Sequence, residues 1–458
     1  MIRPLAMKFG GTSVATVGAM RHAAAIVAKA SNAGAHVVVV VSAMAGVTDA
    51  LVSACDAARA GAAERVGHLV TALRARHVEA IEGLFPPKGS DFLQDAIVTE
   101  CDRLQTLLAS GAAGKELSRP AADAVLATGE LLSSRIFTAL LAAEGVPARW
   151  VDSRRVVVTT DAFGAALPVD RTPEAVVQEV MPVLRMGEVA VLAGFVGATK
   201  DGVTTTLGRG GSDFSAAIIG AALDAREIQI WTDVDGMLTS DPRIVSDALP
   251  VDRLSFEEAS ELAYFGAKVL HPSTILPAIE KNIPVRILNT MRPDAAGSLI
   301  AAHAPRRDGL TAIACKRNIT LINITSTRML LAYGFLRRVF EVFERYATSV
   351  DVVTTSEVSV SVTVDDDRRV DVITRELTAF SSVQVERGVA IISAVGDRLR
   401  SDPAIAVSVI AALGRFPLRM VSQAASRRNV TVVLADDDVP AAMTRLHQEF
   451  FTVVGAGR

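Results

Sequence analysis

A chain of 458 residues, half of them hydrophobic, is long enough for about three domains with cores of their own. Its formal net charge of -3 leaves no overall basic field, which argues against nucleic acid or an anionic membrane surface as main partner and makes any anion site local. The three cysteines, Cys55, Cys101 and Cys315, are too far apart for a metal spacing or a disulfide framework, so a reducing cytoplasm is the expected compartment.

The chain opens on a short apolar lead, 4–7, which runs into KFGGTSV, residues 8–14, and then into a helical pattern at 15–30. Gly10 and Gly11 lack a Cβ, so backbone amides there can approach an anion closely. The helix that follows offers unpaired N–H groups and the positive end of its dipole. Lys8 sets a mobile positive charge beside them. The first residues lack the charged lead and long apolar region of a signal peptide. The valine run at 35–41 is far shorter than the roughly 20 apolar residues of a membrane span and reads as a strand buried on both faces. It ends in SAMAGVTD, where Ser42 and Thr48 bring hydroxyls to the carboxyl end of a strand, the place where open α/β sheets bind ligands. Helix capping by Thr48 or Asp49 is the competing use.

Residues 49–117 are helical in pattern, with one break at 86–90. LATGELLSS, 126–134, starts a further helix with Glu130 near its beginning, where an acid ordinarily compensates the helix dipole. Strands are expected at 149–151, 156–159 and 189–194, separated by a helix at 173–184, an alternation that argues for a mainly parallel sheet covered on both faces. TTTLGRGGSD, 204–213, is a second glycine-rich loop. The planar fork of Arg209 within it suits a carboxylate or phosphate bidentately, and Ser212 and Asp213 can cap a helix at 214–225. After a strand at 227–231 come the turn-rich WTDVDGMLTSDPR, a capping box of Ser255 and Glu258 ahead of a helix at 256–264, and FGAKVLHP with Lys268 and His271.

The short, basic, proline-bearing segment 301–308 suits a domain boundary. Beyond it a helix at 335–346 and strands at 350–354 and 358–365 recur as 405–416, 418–422 and 430–435, an offset of about 68 residues. Each copy closes on a second helix, 367–380 and 440–451, giving two βαββαβ units of the ferredoxin-like kind.

KFGGTSV, TLGRGGSD, WTDVDG, FGAKVLHP and SVDVVTTSEVS, in this order and spread over nearly the whole chain, resemble the aspartokinases, in particular the single-chain lysine-sensitive class. The resemblance implies an α/β amino-acid-kinase fold, a mainly parallel sheet sandwiched by helices, at 1–303, followed by tandem ferredoxin-like ACT regulatory domains at 309–458. The first ACT domain, about 319–388, would be inserted within the second, about 309–318 plus 389–458, so that a strand near 311–316 pairs with one near 390–395. The implied reaction transfers the γ-phosphoryl group of ATP, with Mg²⁺, to the β-carboxylate of L-aspartate, giving 4-phospho-L-aspartate, the first step of lysine, threonine and methionine biosynthesis.

Carried over by motif, Lys8 resembles the catalytic lysine and Asp213 its acidic partner, while Arg209 and Glu130 resemble the groups that hold the substrate carboxylate and ammonium. Ser42 and Thr48 match positions near the substrate, and Gly10, Gly11, Thr232, Asp233, Arg243 and Lys268 match the nucleotide side; no protein metal ligand is implied. Leu238 stands where close relatives often carry a tyrosine against the nucleotide. A lysine effector is expected near Met329, Gly334, Phe335, Leu336, Ser349, Val350, Asp351, Ser356 and Glu357, with Leu331 and Ala332 where relatives often carry His and Ser. Asp351 and Glu357 have the right charge for the two ammonium groups of lysine. The resemblance also implies a homodimer or homotetramer through the ACT domains. Presence of Lys8, Glu130, Arg209 and Asp213 together argues against a non-catalytic amino-acid sensor, and the Arg209 loop with the paired tail argues against a kinase for another small molecule.

Overall fold

Leu5–Phe9 (β1) is buried along its whole length, because it lies inside a parallel sheet with a neighbouring strand on each edge. The computed structural model describes residues 2–86, 90–266, 272–303, 310–326, 333–397, 399, 401–423 and 427–451. They divide into one unit of 1–237 with 269–304 and another of 238–268 with 305–458.

In the first unit β1 is followed by Val17–Asn32 (α1), Val37–Val41 (β2), Val47–Arg59 (α2), Ala63–Leu84 (α3), Asp91–Gly114 (α4), Arg119–Ala143 (α5) and Ala148–Val151 (β3). Then come Ser153–Val156 (α6), Thr172–Arg185 (α7), Val189–Ala193 (β4), Val196–Ala198 (β5), Thr204–Thr206 (β6), Gly211–Ala222 (α8) and Glu227–Thr232 (β7). Arg253–Ser255 (β8) and Phe256–Tyr264 (α9) belong to the second unit, and Leu276–Glu280 (α10), Val285–Asn289 (β9) and Ser298–Ala301 (β10) complete the first.

Within this unit the strand order is β3-β4-β2-β1-β7-β9-β10, parallel except for the last pair. Leu5, Met7 and Phe9 of β1 and Val37, Val39 and Val41 of β2 share one core with apolar faces of α1 to α5. α8 packs against β1, β2 and β7. The chain leaves β1 toward β2 and leaves β7 toward β9, so the crevice between β1 and β7 is the point where strand order reverses. α5 is long and apolar enough to cross a membrane by length and composition, yet it is a core helix with most of its side chains buried.

The second unit continues with Ala312–Thr325 (β11), Phe335–Arg345 (α11), Val353–Thr355 (β12), Ser359–Val364 (β13), Val370–Thr378 (α12) and Ser382–Val395 (β14). Pro403–Ala412 (α13), Met420–Gln423 (β15), Asn429–Ala435 (β16) and Val439–Phe451 (α14) follow. Its sheet runs β12-β13-β11-β14-β16-β15. β11 and β14 are each 14 residues long and pair antiparallel from Ala312 opposite Val395 to Thr325 opposite Ser382. Ala312 to Lys316 therefore faces Ile391 to Val395, the partnership that the resemblance implied.

Four departures from the sequence reading have physical causes. α5 begins at Arg119, because Ser118 caps it by accepting the Ala121 amide and Pro120 fits its first turn. Glu130 is thus in mid-helix, where no dipole compensation is available. α8 begins at Gly211 on a glycine cap, which puts Asp213 in its first turn rather than before it. Residues 153–156 form one helical turn capped by Asp152, where a strand at 156–159 was expected. The segment 238–268 groups with the second unit: the Ile313 amide donates to the Thr239 carbonyl (2.8 Å), Thr239 Oγ1 bonds His447 Nε2 (2.9 Å), Glu258 accepts from Thr311 (2.5 Å), and Val245 packs in that unit's core.

Candidate active site

Loops after β1, β2 and β4, together with the loop from β6 into α8, wall a cavity of about 550 Å³ in the first unit. Two helices aim their first turns at it. Gly46, left-handed at φ 79°, starts α2, and Gly210, at φ 69°, starts α8; Thr48 and Asp213 follow in the respective first turns. Unpaired N–H groups and the positive dipole ends at such termini favour an anion.

Lys8, Ser42, Thr48, Glu130, Arg209 and Asp213, all expected from sequence, line this one cavity. Lys8 Nζ lies 2.7 Å from Asp213 Oδ1, with both side chains largely buried. That pair joins the penultimate position of β1 to α8. Arg209 is exposed and makes no hydrogen bond or ion pair among the described residues, so its fork is open to a ligand. Glu130 is its opposite. The residue is only 4% exposed, and one carboxylate oxygen, Oε2, is buried without a hydrogen-bond partner. Burial pushes its carboxyl up to about 8, with the Ala43 amide and the positive charge of Lys8 pulling the other way. The cavity thus holds an open guanidinium, an unsatisfied buried acid and a buried lysine–carboxylate pair. One cationic and one anionic anchor suit a zwitterion, and the lysine suits additional negative charge.

The glycine turn after β1 is used differently from the expectation. The Gly10 amide donates to the Trp231 carbonyl at 2.9 Å, closing β1 onto β7, and Gly10 does not line the cavity. Gly11 does line it, but a Cβ there would stand 2.9 Å from the Ala43 carbonyl, so the missing side chain first of all lets the loops after β1 and β2 touch. A short 3-10 turn, Thr12–Val14, intervenes before α1, whose N-cap is Thr16.

Thr232 ends β7 at the strand-order reversal and bonds the exposed Asp233 at 3.2 Å. Leu238 and Arg243 belong to the second unit, where the Arg243 guanidinium is bidentate on Asp241. Lys268 and His271 lie outside the described residues.

In the second unit Gly334 is the left-handed cap of α11, followed by buried Phe335 and exposed Leu336. Ser349, Ser356 and Glu357 are exposed and Val350 is half-buried; Ser356 accepts from and donates to the turn at Ser359. Met329, Leu331 and Ala332 lie outside the described residues. Asp351 is not an open anion. Its side chain is 4% exposed, and Lys316 Nζ sits 2.7 Å from its Oδ1 and 2.7 Å from Asp365 Oδ2, over the ring of Tyr264. Burial raises the Asp351 carboxyl, and Lys316 lowers it in part.

Sequence reasoning missed Asp123, whose carboxylate binds backbone amides of the cavity wall, and Phe195, a cavity residue held at the rare φ of 66°. An acid in the otherwise apolar PAADAVLA, seven residues before Glu130, is a legible signal for the first. A φ value leaves no signal for the second.

Among family models, the amino acid kinase family matches residues 3–289 and the ACT domain residues 392–450. Lysine-sensitive aspartokinase 3 of Escherichia coli (strain K12) is 38% identical, over 97% of this chain and 98% of its own length. The crystal structure of E. coli aspartokinase III in complex with aspartate and ADP, in its R-state, has a TM-score of 0.85 at 35% identity, covering 98% of this chain and 100% of that one. The T-state of the same enzyme, in complex with lysine and aspartate, has a TM-score of 0.81 at 35% identity, covering 98% and 99%.

Proposed function

This chain belongs to the aspartokinases, and we propose that its cavity binds L-aspartate between Glu130 and Arg209 for phosphorylation by ATP. The protein is a kinase that transfers the γ-phosphoryl group to the β-carboxylate. The observation that carries the site reading is the orphaned Glu130 Oε2, a buried acceptor facing the same cavity as an unpaired guanidinium. The α-ammonium of aspartate satisfies Glu130, the α-carboxylate takes the Arg209 fork, and the β-carboxylate is left to react.

That carboxylate, with an ordinary pKa of about 3.9, is already an ionised nucleophile at neutral pH. One of its oxygens attacks the γ-phosphorus, the bond to the bridging β,γ-oxygen breaks, and ADP departs with that electron pair; no proton has to move. The protein's task is placement and charge. Lys8, held by Asp213, and the first turn of α8 put positive potential where charge spreads over the transferred group. Among the described residues no three metal-ligating side chains converge. Asp213, a carboxylate of the cavity wall, is the residue that would support Mg²⁺ brought in by the nucleotide, and the ion would supply positive charge against the phosphates.

Lysine is proposed as the feedback effector, bound by the module of β11 to β14, and a homodimer as the smallest assembly. Support for the second comes from α13, PAIAVSVIAA, apolar on all sides with Val407 64% exposed, and from Val421 on the edge strand β15.

The test is ADP release with ATP, Mg²⁺ and L-aspartate, with hydroxylamine trapping the acyl phosphate. Aspartate-dependent hydroxamate is expected. ADP release that is equal with glutamate, or independent of aspartate, would overturn the reading.

A further inference from the structure

The two anchors for the amino acid stand on different elements, Glu130 on α5 and Arg209 on the loop between β6 and α8. Something must fix the distance between them. Asp123 lies on α5 seven residues before Glu130, two turns away and so on the same helix face. It is 2% exposed. Its Oδ2 accepts two backbone amides from separate segments, Gly164 at 3.0 Å and Thr206 at 2.8 Å. Thr206 closes β6 three residues before Arg209, and Gly164 lines the cavity.

The two segments are also tied to each other. The Ala166 amide donates to the Thr206 carbonyl at 2.9 Å, and the hydroxyls of Thr159 and Thr205 are 2.7 Å apart. Gly208 turns at φ 77° directly over the Gly164 carbonyl, which would lie 3.2 Å from a Cβ at that position. A shift at Asp123 is therefore passed to the Arg209 loop with little slack. Hydrogen bonds to a buried carboxylate are charge-assisted, and an apolar side chain in its place leaves two amides without acceptors.

We propose that Asp123 is a positioning residue for the amino-acid substrate, holding the Arg209 loop against the helix that carries Glu130 so that the two anchors match the α-carboxylate and α-ammonium. The inference rests on the roles given above to Glu130 and Arg209. Asp123 does not itself line the cavity. Its bonds go to the amino-acid wall and not to the loops after β1 and β7, so its loss reaches aspartate and spares ATP.

Steady-state kinetics of Asp123→Ala are expected to show the aspartate KM raised about tenfold or more, with the ATP KM within about twofold of wild type. Asp123→Asn keeps an oxygen able to accept both amides and is expected to restore the aspartate KM to within about threefold. Hydrogen exchange at the Gly164 and Thr206 amides should quicken in the alanine variant and stay slow in the asparagine variant. If the alanine variant does not fold, Asp123→Thr, whose oxygen falls short of both amides, takes its place with the same expectation. An unmoved aspartate KM in a folded variant, or equal rises for aspartate and ATP, overturns the proposal alone. A wild-type enzyme without aspartate-dependent ADP release overturns the parent reading and this one with it.

Discussion

At pH 7 the free enzyme holds Glu130 mostly protonated, since burial sets its carboxyl near 8 and the Ala43 amide and Lys8 offset only part of that effect. An ammonium beside Oε2 favours the ionised form. Binding of aspartate is thus expected to release close to one proton at pH 7, and calorimetry in two buffers of different ionisation enthalpy reads it directly; heats that do not depend on the buffer would place the ammonium elsewhere. The same shift acts on stability. An acid raised in the folded state contributes stability that is fully present below its ordinary 4.5 and lost as pH rises through about 8. Glu130→Gln should therefore raise the thermal midpoint of the free enzyme above about pH 8, and raise the aspartate KM about 10²-fold. Lys8→Met is expected to lower kcat by roughly 10²-fold or more with a smaller change in KM, because the charge it removes is felt most in the transition state. Near-normal turnover of a folded Lys8→Met enzyme would remove Lys8 from the mechanism.

The elements that were legible in the sequence are those whose local chemistry decides them. The valine run of β2 could only be a strand buried on both faces, and the Ser255 and Glu258 capping box starts α9 as read. Where tertiary contacts decide, the sequence misled, since the Gly10 amide goes to Trp231 of another strand. Glu130 in mid-helix is a different case: the Ser118 cap and Pro120 that start α5 earlier are local signals the sequence carries. The cavity residues were readable because each is a polar group among glycines or apolar residues. Lys316 was not, since its partners Asp351 and Asp365 are 35 and 49 positions away along the chain. Its ammonium already occupies the anion expected for the effector. On the proposed site lysine would have to displace it or use Glu357, so Lys316→Met is expected to strengthen lysine inhibition several-fold by freeing Asp351, measured as the lysine concentration for half-inhibition. Weaker inhibition in that variant would mean that Lys316 shapes the effector site rather than competes for it. Asp351→Ala should relieve inhibition, with a coupling of about 1–3 kcal/mol at stake.

For the whole molecule, α13 predicts association. A helix apolar on all sides needs cover on all sides, and its buried face accounts for only part of it. Wild-type protein is expected to sediment as a dimer or larger at micromolar concentration and Val407→Asp to shift it toward monomer; a monomeric wild type would sink the assembly. The long pair β11 and β14 has a consequence of another kind, for a chain still being made. β11 leaves the ribosome about 70 residues before the strand that holds it. At common synthesis rates that is an interval of roughly 4–14 s. The module enclosed between the two strands is finished first, and by finishing it brings the far halves of β11 and β14 into register. The enclosing module then waits for β15 and β16. A nascent chain stopped once residue 396, but not residue 419, has cleared the ribosome should resist protease around α11 and β13 while residues 312–316, aligned with β14 but without α14 over them, stay more open to cleavage, so the guest folds before its host.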